Sequence, residues 1–394
     1  MLVRRPDEPR RNPFRFGDVA TGEHFTDRKA EITELVRDLR SGQSVLVISP
    51  RRYGKTSLIT AVLERIRKQH ILVAYVDLLR TTTKERFANQ LAAALYAGLT
   101  PAVERAVHRA GELFQSLPLR PKITLNQDGT PSFEFTAAPG TTDIDETIDR
   151  LLELPQHVAS RRKRQTVLVL DEFQEIVVLD PELPARMRAA FQFQPDVAHV
   201  YLGSRQHLLR KVFTDANSPL YNSAKVFPVG PIPREAFSRF LADRFASTGM
   251  GISDEAVSTL LSITHGHPHD TQKLGYFTWA AAEEEDIPAD RDTVELALAT
   301  AIATDTARYT ELWDGLTTNQ RRLLEAIGRA PSSESVLSEN FRTRYRLGPY
   351  ATVERALDSL VERGLVEREG RGRVMIPDVF LVHWLRAIDR KPHS

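Results

Sequence analysis

The chain has 394 residues, 41% of them hydrophobic, and a formal net charge of +1. That length provides for two or three domains with cores of their own, and the near-neutral balance gives no pull by itself toward nucleic acid or membrane. Cysteine is absent, which excludes disulfides, thiolate metal sites and a cysteine nucleophile, and fits a reducing cytoplasm.

The first residues, MLVRRPDEPRRNPFRFG, carry arginines but no apolar run, so no secretory signal is expected. No stretch approaches the roughly 20 apolar residues of a membrane span, and a cytoplasmic protein is expected. Five apolar runs then punctuate the first 230 residues: SVLVIS (44–49), ILVAYVDL (71–78), TVLVLDEF (166–173), HVYLGS (199–204) and KVFPVG (225–230). Continuous rather than alternating apolar residues suit strands buried on both faces of a parallel sheet. Helical segments between them, such as 56–69 and 84–97, complete an α/β pattern.

Residues 98–165 are long for one connection. Two alternating runs around Asp128-Gly129, within 121–140, predict a β-hairpin, and DETIDRLLELPQHVA predicts an amphipathic helix. An insertion projecting from the sheet is expected, either as a partner contact or as plain elaboration. From 231 the strands stop, and helices are expected at 233–247, 254–265, 268–285 and 291–313, with starts at Pro233, Ser253 and Pro268. This forms a helical lid over 231–315. Residues 316–394 read as three helices, a small hairpin and a last helix, VFLVHWLRAI, which is a winged helix.

The chemistry concentrates in VLVISPRRYGKTSLI (45–59). A phosphate-binding loop reads glycine, four residues, then Gly-Lys-Ser/Thr, between a strand and a helix. Gly54, Lys55 and Thr56 fit; Ser49 stands where the first glycine would be. Backbone N–H groups from Arg52 through Tyr53 to Thr56 would face phosphate, Lys55 would reach the β- and γ-phosphates, and Thr56 would ligate Mg²⁺. Pro50 stiffens the turn after Ser49. A second motif, VLVLDEFQEI, ends a strand in Asp171 and Glu172. A phosphate loop needs such a pair, one carboxylate for Mg²⁺ (Asp171) and one to activate water (Glu172). At the end of the fourth run Ser204 and Arg205 are candidates to sense the γ-phosphate, with Arg205 also a candidate arginine finger; a solvated turn residue is the alternative.

THGHPHDTQKLGY (264–276) holds three histidines, but their spacing crosses Gly266 and Pro268 rather than one helix face, so a turn that starts a helix is expected instead of a zinc site. In residues 317–394 there are 14 Lys and Arg against 10 Asp and Glu. Arg342, Arg344, Arg346, Arg368, Arg371 and Arg373 could meet DNA phosphates, but the expected recognition helix lacks the Arg/Asn/Gln array that reads base edges. DNA binding and a protein-interaction role both stay open.

With NPFRFG, FTDRKAEI, SPRRYGKTSLI, VLVLDEFQEI, YLGSRQHLL, SPLYNSAKVFPVGPI and GHP in this order, the chain resembles the archaeal-type ATPases, of the STAND branch of AAA+ P-loop proteins, and is similar to the origin-recognition ATPases. The resemblance implies a fold with a P-loop ATPase core (1–230), a helical lid (231–315) and a winged helix (316–394). It implies that Pro50, Arg51, Arg52, Gly54, Lys55, Thr56 and Ser57 form the phosphate loop, that Asp171 and Glu172 are the Mg²⁺ and water-activating pair, that Phe25 to Arg28 lie against adenine, and that Gly266, His267 and Pro268 form a lid turn near the nucleotide. Two readings follow. One is an Mg²⁺-dependent ATPase that works as a conformational switch and binds ATP and ADP; the other is a nucleotide-gated DNA-binding regulator or interaction module with little hydrolysis. Double-stranded DNA, a second copy of the chain or another protein are the candidate partners, and a membrane is not.

Overall fold

The runs at 45–48, 166–171 and 197–203 are buried along their whole length, as central strands of a sheet covered on both faces must be. The computed structural model describes residues 10–17, 22, 28–79, 81–100, 113–115, 117–127, 131–135, 143–330, 334–370 and 372–388. These form two compact units. One comprises Arg28–Ser49 and Lys55–Gly230; the other comprises the described residues of Met1–Asp27, Pro50–Gly54 and Pro231–Ser394.

In chain order the sheet unit contains α1 (Lys29–Arg40), β1 (Val45–Ile48), α2 (Lys55–Arg67), β2 (Leu72–Asp77), α3 (Lys84–Leu99), β3 (Lys122–Leu125), β4 (Pro131–Glu134), α4 (Asp143–Arg162), β5 (Thr166–Asp171), α5 (Gln174–Leu179), α6 (Leu183–Phe191), β6 (Val197–Gly203), α7 (Gln206–Thr214) and β7 (Lys225–Pro228). The five-stranded sheet has the order β2-β5-β6-β1-β7, with every pair parallel. Alternate residues split between faces: Leu46, Ala74, Leu168 and Tyr201 join α3 and α4 in one apolar core. Because all strands run the same way, their carboxyl ends, which carry Ser49, Asp77, Asp171 and Gly203, lie along one edge of the sheet. In α/β sheets that edge is where ligands bind.

Among its described residues, the segment 98–165 lies against the sheet unit instead of projecting from the sheet. Its described hairpin, β3 with β4, packs on α3, with the Phe133 ring 5.6 Å from Tyr96 and 5.3 Å from Phe114. Phe133 and Phe135 are buried, and the Phe135 N–H donates to Asn89 Oδ1 at 2.8 Å. A projecting hairpin would leave both rings in water, at about 2 kcal/mol each. The expected turn at Asp128-Gly129 lies outside the described residues.

The second unit contains α8 (Arg234–Ala246), α9 (Asp254–Thr264), α10 (Pro268–Glu285), α11 (Arg291–Asp314), α12 (Thr318–Arg329), α13 (Glu339–Arg344), α14 (Tyr350–Glu362), β8 (Glu367–Gly370), β9 (Arg373–Met375) and α15 (Val379–Ile388). Local chemistry sets the helix starts: Ser253 caps α9, and the pairs Asp290/Thr293 and Thr317/Gln320 form capping boxes. One apolar cluster runs from Phe237 and Leu260 to Leu357 and Trp384, so the four helices α8–α11 and the winged helix share a core. At the crossing of α10, α11 and α15, Lys273 Nζ lies 2.7 Å from Asp305 and 4.3 Å from the Phe380 ring centre. Arg308 bridges Asp305 (2.8 Å) and Asp378 (3.2 Å), and the buried Tyr309 hydroxyl donates to Asp378 at 3.0 Å. No helix among the described residues is long and apolar enough to cross a membrane.

Candidate active site

Lys55 is the first residue of α2; it is 8% exposed, with Nζ 3.3 Å from the Ser49 carbonyl oxygen. Thr56, next along, is exposed, and Ser57 is turned into the buried side of the helix. In the loop between β1 and α2, positive φ falls at Arg52 (64°) and Gly54 (79°), not at Ser49, which is 1% exposed. The left-handed backbone therefore favours glycine at the second glycine position of the pattern and not at the first.

The acids occupy the end of β5. Asp171 is 8% exposed; the Tyr75 hydroxyl of β2 donates to its Oδ2 and the Glu172 N–H to its Oδ1 at 2.8 Å. Burial pushes the Asp171 carboxyl above the usual carboxylate range, and these two donors only partly offset that. Burial, and then the charge of Asp171, push the Tyr75 hydroxyl up, so it stays a donor. Glu172 has φ 52°, a left-handed conformation that non-glycine residues rarely adopt. Its Oε2 accepts two hydrogen bonds, one from Gln174 Nε2 and one from the Ser204 hydroxyl at 3.0 Å. β6 lies between β1 and β5 in the sheet, and this brings Ser204 to the acid pair.

A depression of about 500 Å³ is lined by Thr56, Tyr75, Asp77, Asp171 and Glu172, among others. A hydroxyl and carboxylate oxygens are the hard donors that Mg²⁺ takes. Among the described residues no group of three or more His, Cys, Asp or Glu is arranged as a metal cage.

The other expected site residues divide between the units. Arg28 is 3% exposed in the sheet unit, with its guanidinium on Glu31 (3.0 Å) and the Gly230 carbonyl (2.8 Å). Arg205 is exposed at the N-cap of α7, and Phe25 lies outside the described residues. In the second unit the Tyr53 ring meets His267 edge-on at 4.6 Å, and His267 Nε2 is 3.3 Å from the Arg51 carbonyl oxygen. Pro50 and Arg52 belong to this same unit. His267 caps α10 through the Asp270 N–H and Pro268 takes the first helical position, so this turn does start a helix. Burial lowers the His267 pKa, keeping the ring a neutral acceptor. Two of the winged-helix arginines are in ion pairs, Arg344 with Glu334 at 2.7 Å and Arg368 with Asp358. Arg371 lies outside the described residues.

Two neighbours of the acids escaped the sequence reading. Tyr75 sits inside an apolar run and looks like core. Gln174 carries a weak signal, two residues beyond Glu172 in DEFQ.

A family model of an ATPase domain predominantly from Archaea matches residues 25–274, and one described as "Probable winged helix domain" matches residues 307–387, beginning inside α11. Among solved structures, a Walker-type ATPase of Pyrococcus abyssi is 18% identical over 95% of this chain and 99% of its own, with a TM-score of 0.65. The Aeropyrum pernix ORC2 protein, solved in ADPNP–ADP complexes, is 14% identical over 97% and 99%, with a TM-score of 0.54. At these identities the likeness is one of fold. No curated protein matches the sequence.

Proposed function

The chain belongs to the family of ATPase domains found predominantly in Archaea, and on that premise we propose that it is an Mg²⁺-dependent ATPase that uses ATP as a conformational switch. One observation carries the reading: Thr56, Asp171 and Glu172 line a single depression, with Ser204 bonded to Glu172. Lys55, at the positive end of α2, would hold the β- and γ-phosphates together with backbone N–H groups of the loop. Thr56 and Asp171 would hold Mg²⁺, which when bound neutralises charge on the phosphate oxygens. Glu172 would orient a water and accept its proton as the water oxygen attacks the γ-phosphorus, while the bond from that phosphorus to the β–γ bridging oxygen breaks and ADP leaves. Ser204 keeps that carboxylate in place, and Arg205, exposed beside it, is available to the developing phosphate charge. By the family pattern Arg28 is assigned to the adenine side, and His267 and Pro268 to the lid turn; Arg28 already has Glu31 and Gly230 as partners and would act through α1 rather than as a free cation.

The test is ATP turnover by purified protein with Mg²⁺, beside Glu172→Gln. The variant should lose turnover by at least about 100-fold, the usual worth of a general base, while still binding ATP. Equal turnover in the two proteins would remove the hydrolytic claim. DNA and self-association stand behind this reading; two of the arginines that could meet DNA phosphates, Arg344 and Arg368, are engaged by Glu334 and Asp358.

A further inference from the structure

Glu172 sits on a strained backbone, and its carboxylate is held by a residue the ATPase chemistry does not itself require. Gln174 is 2% exposed and directs Nε2 at Glu172 Oε2. Its own carbonyl, Oε1, is buried without a hydrogen-bond partner among the described residues. A buried acceptor with no donor is costly, and a methionine of similar length would fill the same space without that cost. What the carboxamide adds over an apolar side chain is its N–H donor.

The surrounding backbone is shaped to receive it. A Cβ on Gly203 would come within 2.2 Å of Gln174 Oε1 and 2.6 Å of Leu209, so a side chain at the end of β6 would displace this carboxamide from its position. The left-handed turn at Glu172 is locked on its far side by the Phe173 N–H on the Leu202 carbonyl (2.8 Å) and by the Glu175 N–H on the Glu172 carbonyl (2.9 Å). Strain of this kind persists only where neighbours over-determine it, and it gathers at functional sites. Both donors, Gln174 and Ser204, act on Oε2, which leaves Oε1 as the oxygen for a water.

We propose that Gln174 is a positioning residue: it fixes the orientation of the Glu172 carboxylate so that one oxygen is reserved for the attacking water. This rests on the ATPase reading above. Gln174→Met should lower kcat on the order of 10- to 100-fold, the usual consequence of a catalytic group displaced by a fraction of an ångström to one ångström. KM for ATP and the Kd of a non-hydrolysable ATP analogue should not change, and the unfolding midpoint should not fall, because the orphaned carbonyl is gone. Gln174→Glu, of the same size but without the donor and with a like charge, should lose more. An unchanged kcat in Gln174→Met would overturn the assignment, as would a KM or analogue Kd that moved together with kcat.

A second measurement is independent of turnover. In protein labelled with ¹⁵N-glutamine, one side-chain amide pair should disappear in Gln174→Met and shift in Glu172→Gln. If that pair did not move in Glu172→Gln, Gln174 would not be bonded to Glu172 and the proposal would fall. If the wild-type protein hydrolysed no ATP, the ATPase reading would fail, and the amide resonance alone would decide whether Gln174 holds the carboxylate.

Discussion

Two groups of buried or half-buried carboxylates in this chain are held by opposite means. Asp171 and Glu172 take their hydrogen bonds from neutral donors: the Tyr75 and Ser204 hydroxyls, the Gln174 carboxamide and a backbone N–H. Asp305 and Asp378 take theirs from Lys273 and Arg308, with Tyr309 between them. The titration follows the donors. Burial raises the Asp171 carboxyl, and its neutral partners do not cancel the effect. Burial also opposes ionisation of Asp305, but the Lys273 and Arg308 bonds outweigh it, and the net shift is downward. An acid packed with its own cation is neutralised and serves the fold. An acid oriented by neutral donors keeps its charge available to a cation that arrives with a ligand.

The same substitution in the two places should therefore have opposite signs. Asp305→Asn leaves the buried Lys273 facing a neutral amide and takes one of two carboxylates from the exposed Arg308, and should destabilise the protein by about 1.5–3 kcal/mol, the usual worth of hydrogen bonds to charged groups. Asp171→Asn removes a charge that burial opposes and should stabilise by about 0.5–2 kcal/mol while abolishing Mg²⁺-dependent turnover. Calorimetric melting midpoints measure both. The pH dependence separates them further. Asp305, with its pKa lowered, contributes stability above the ordinary carboxylate value of 3.8, and that contribution is lost as the pH falls through the lowered one. The deficit of Asp305→Asn should thus narrow in acid. Asp171, with its pKa raised, favours the folded state below 3.8 and penalises it as the pH rises through the raised value. The advantage of Asp171→Asn should thus open on the neutral side and vanish in acid. Midpoints that moved the same way in both variants would break the distinction.

What the sequence could tell followed from how local each feature is. The helices at 254–264 and 268–285 were legible because Ser253 and Pro268 mark their starts. Gly54-Lys55-Thr56 and Asp171-Glu172 were legible because each lies at the end of a continuous apolar strand. The partners of the acids were not. Tyr75 reaches Asp171 only because β2 pairs with β5 in the register Asp77↔Asp171, which no local pattern encodes. Ser204 was legible as the end of a strand, but its bond to Glu172 needs β6 to lie beside β5 in the sheet. The docking of the 122–134 hairpin on α3 is hidden for the same reason: Phe133 and Phe135 look like any alternating strand until their partners Tyr96, Phe114 and Asn89 are known.

The smallest expected effect concerns the residue that departs from the phosphate-loop pattern. Glycine is favoured where the backbone has positive φ, and in this loop such backbone falls at Arg52 and Gly54, not at Ser49. Ser49 is buried at the strand exit and contributes its carbonyl oxygen, 3.3 Å from Lys55 Nζ, a group that glycine would supply equally. Ser49→Gly should accordingly change the Kd for ATP by less than about threefold, or roughly 0.7 kcal/mol, as read by isothermal titration. A much larger gain would mean that the serine side chain obstructs the phosphates. A collapse of binding would mean that its restricted backbone holds Lys55 in place, and in either case the loop would depend on its first position as heavily as on Gly54.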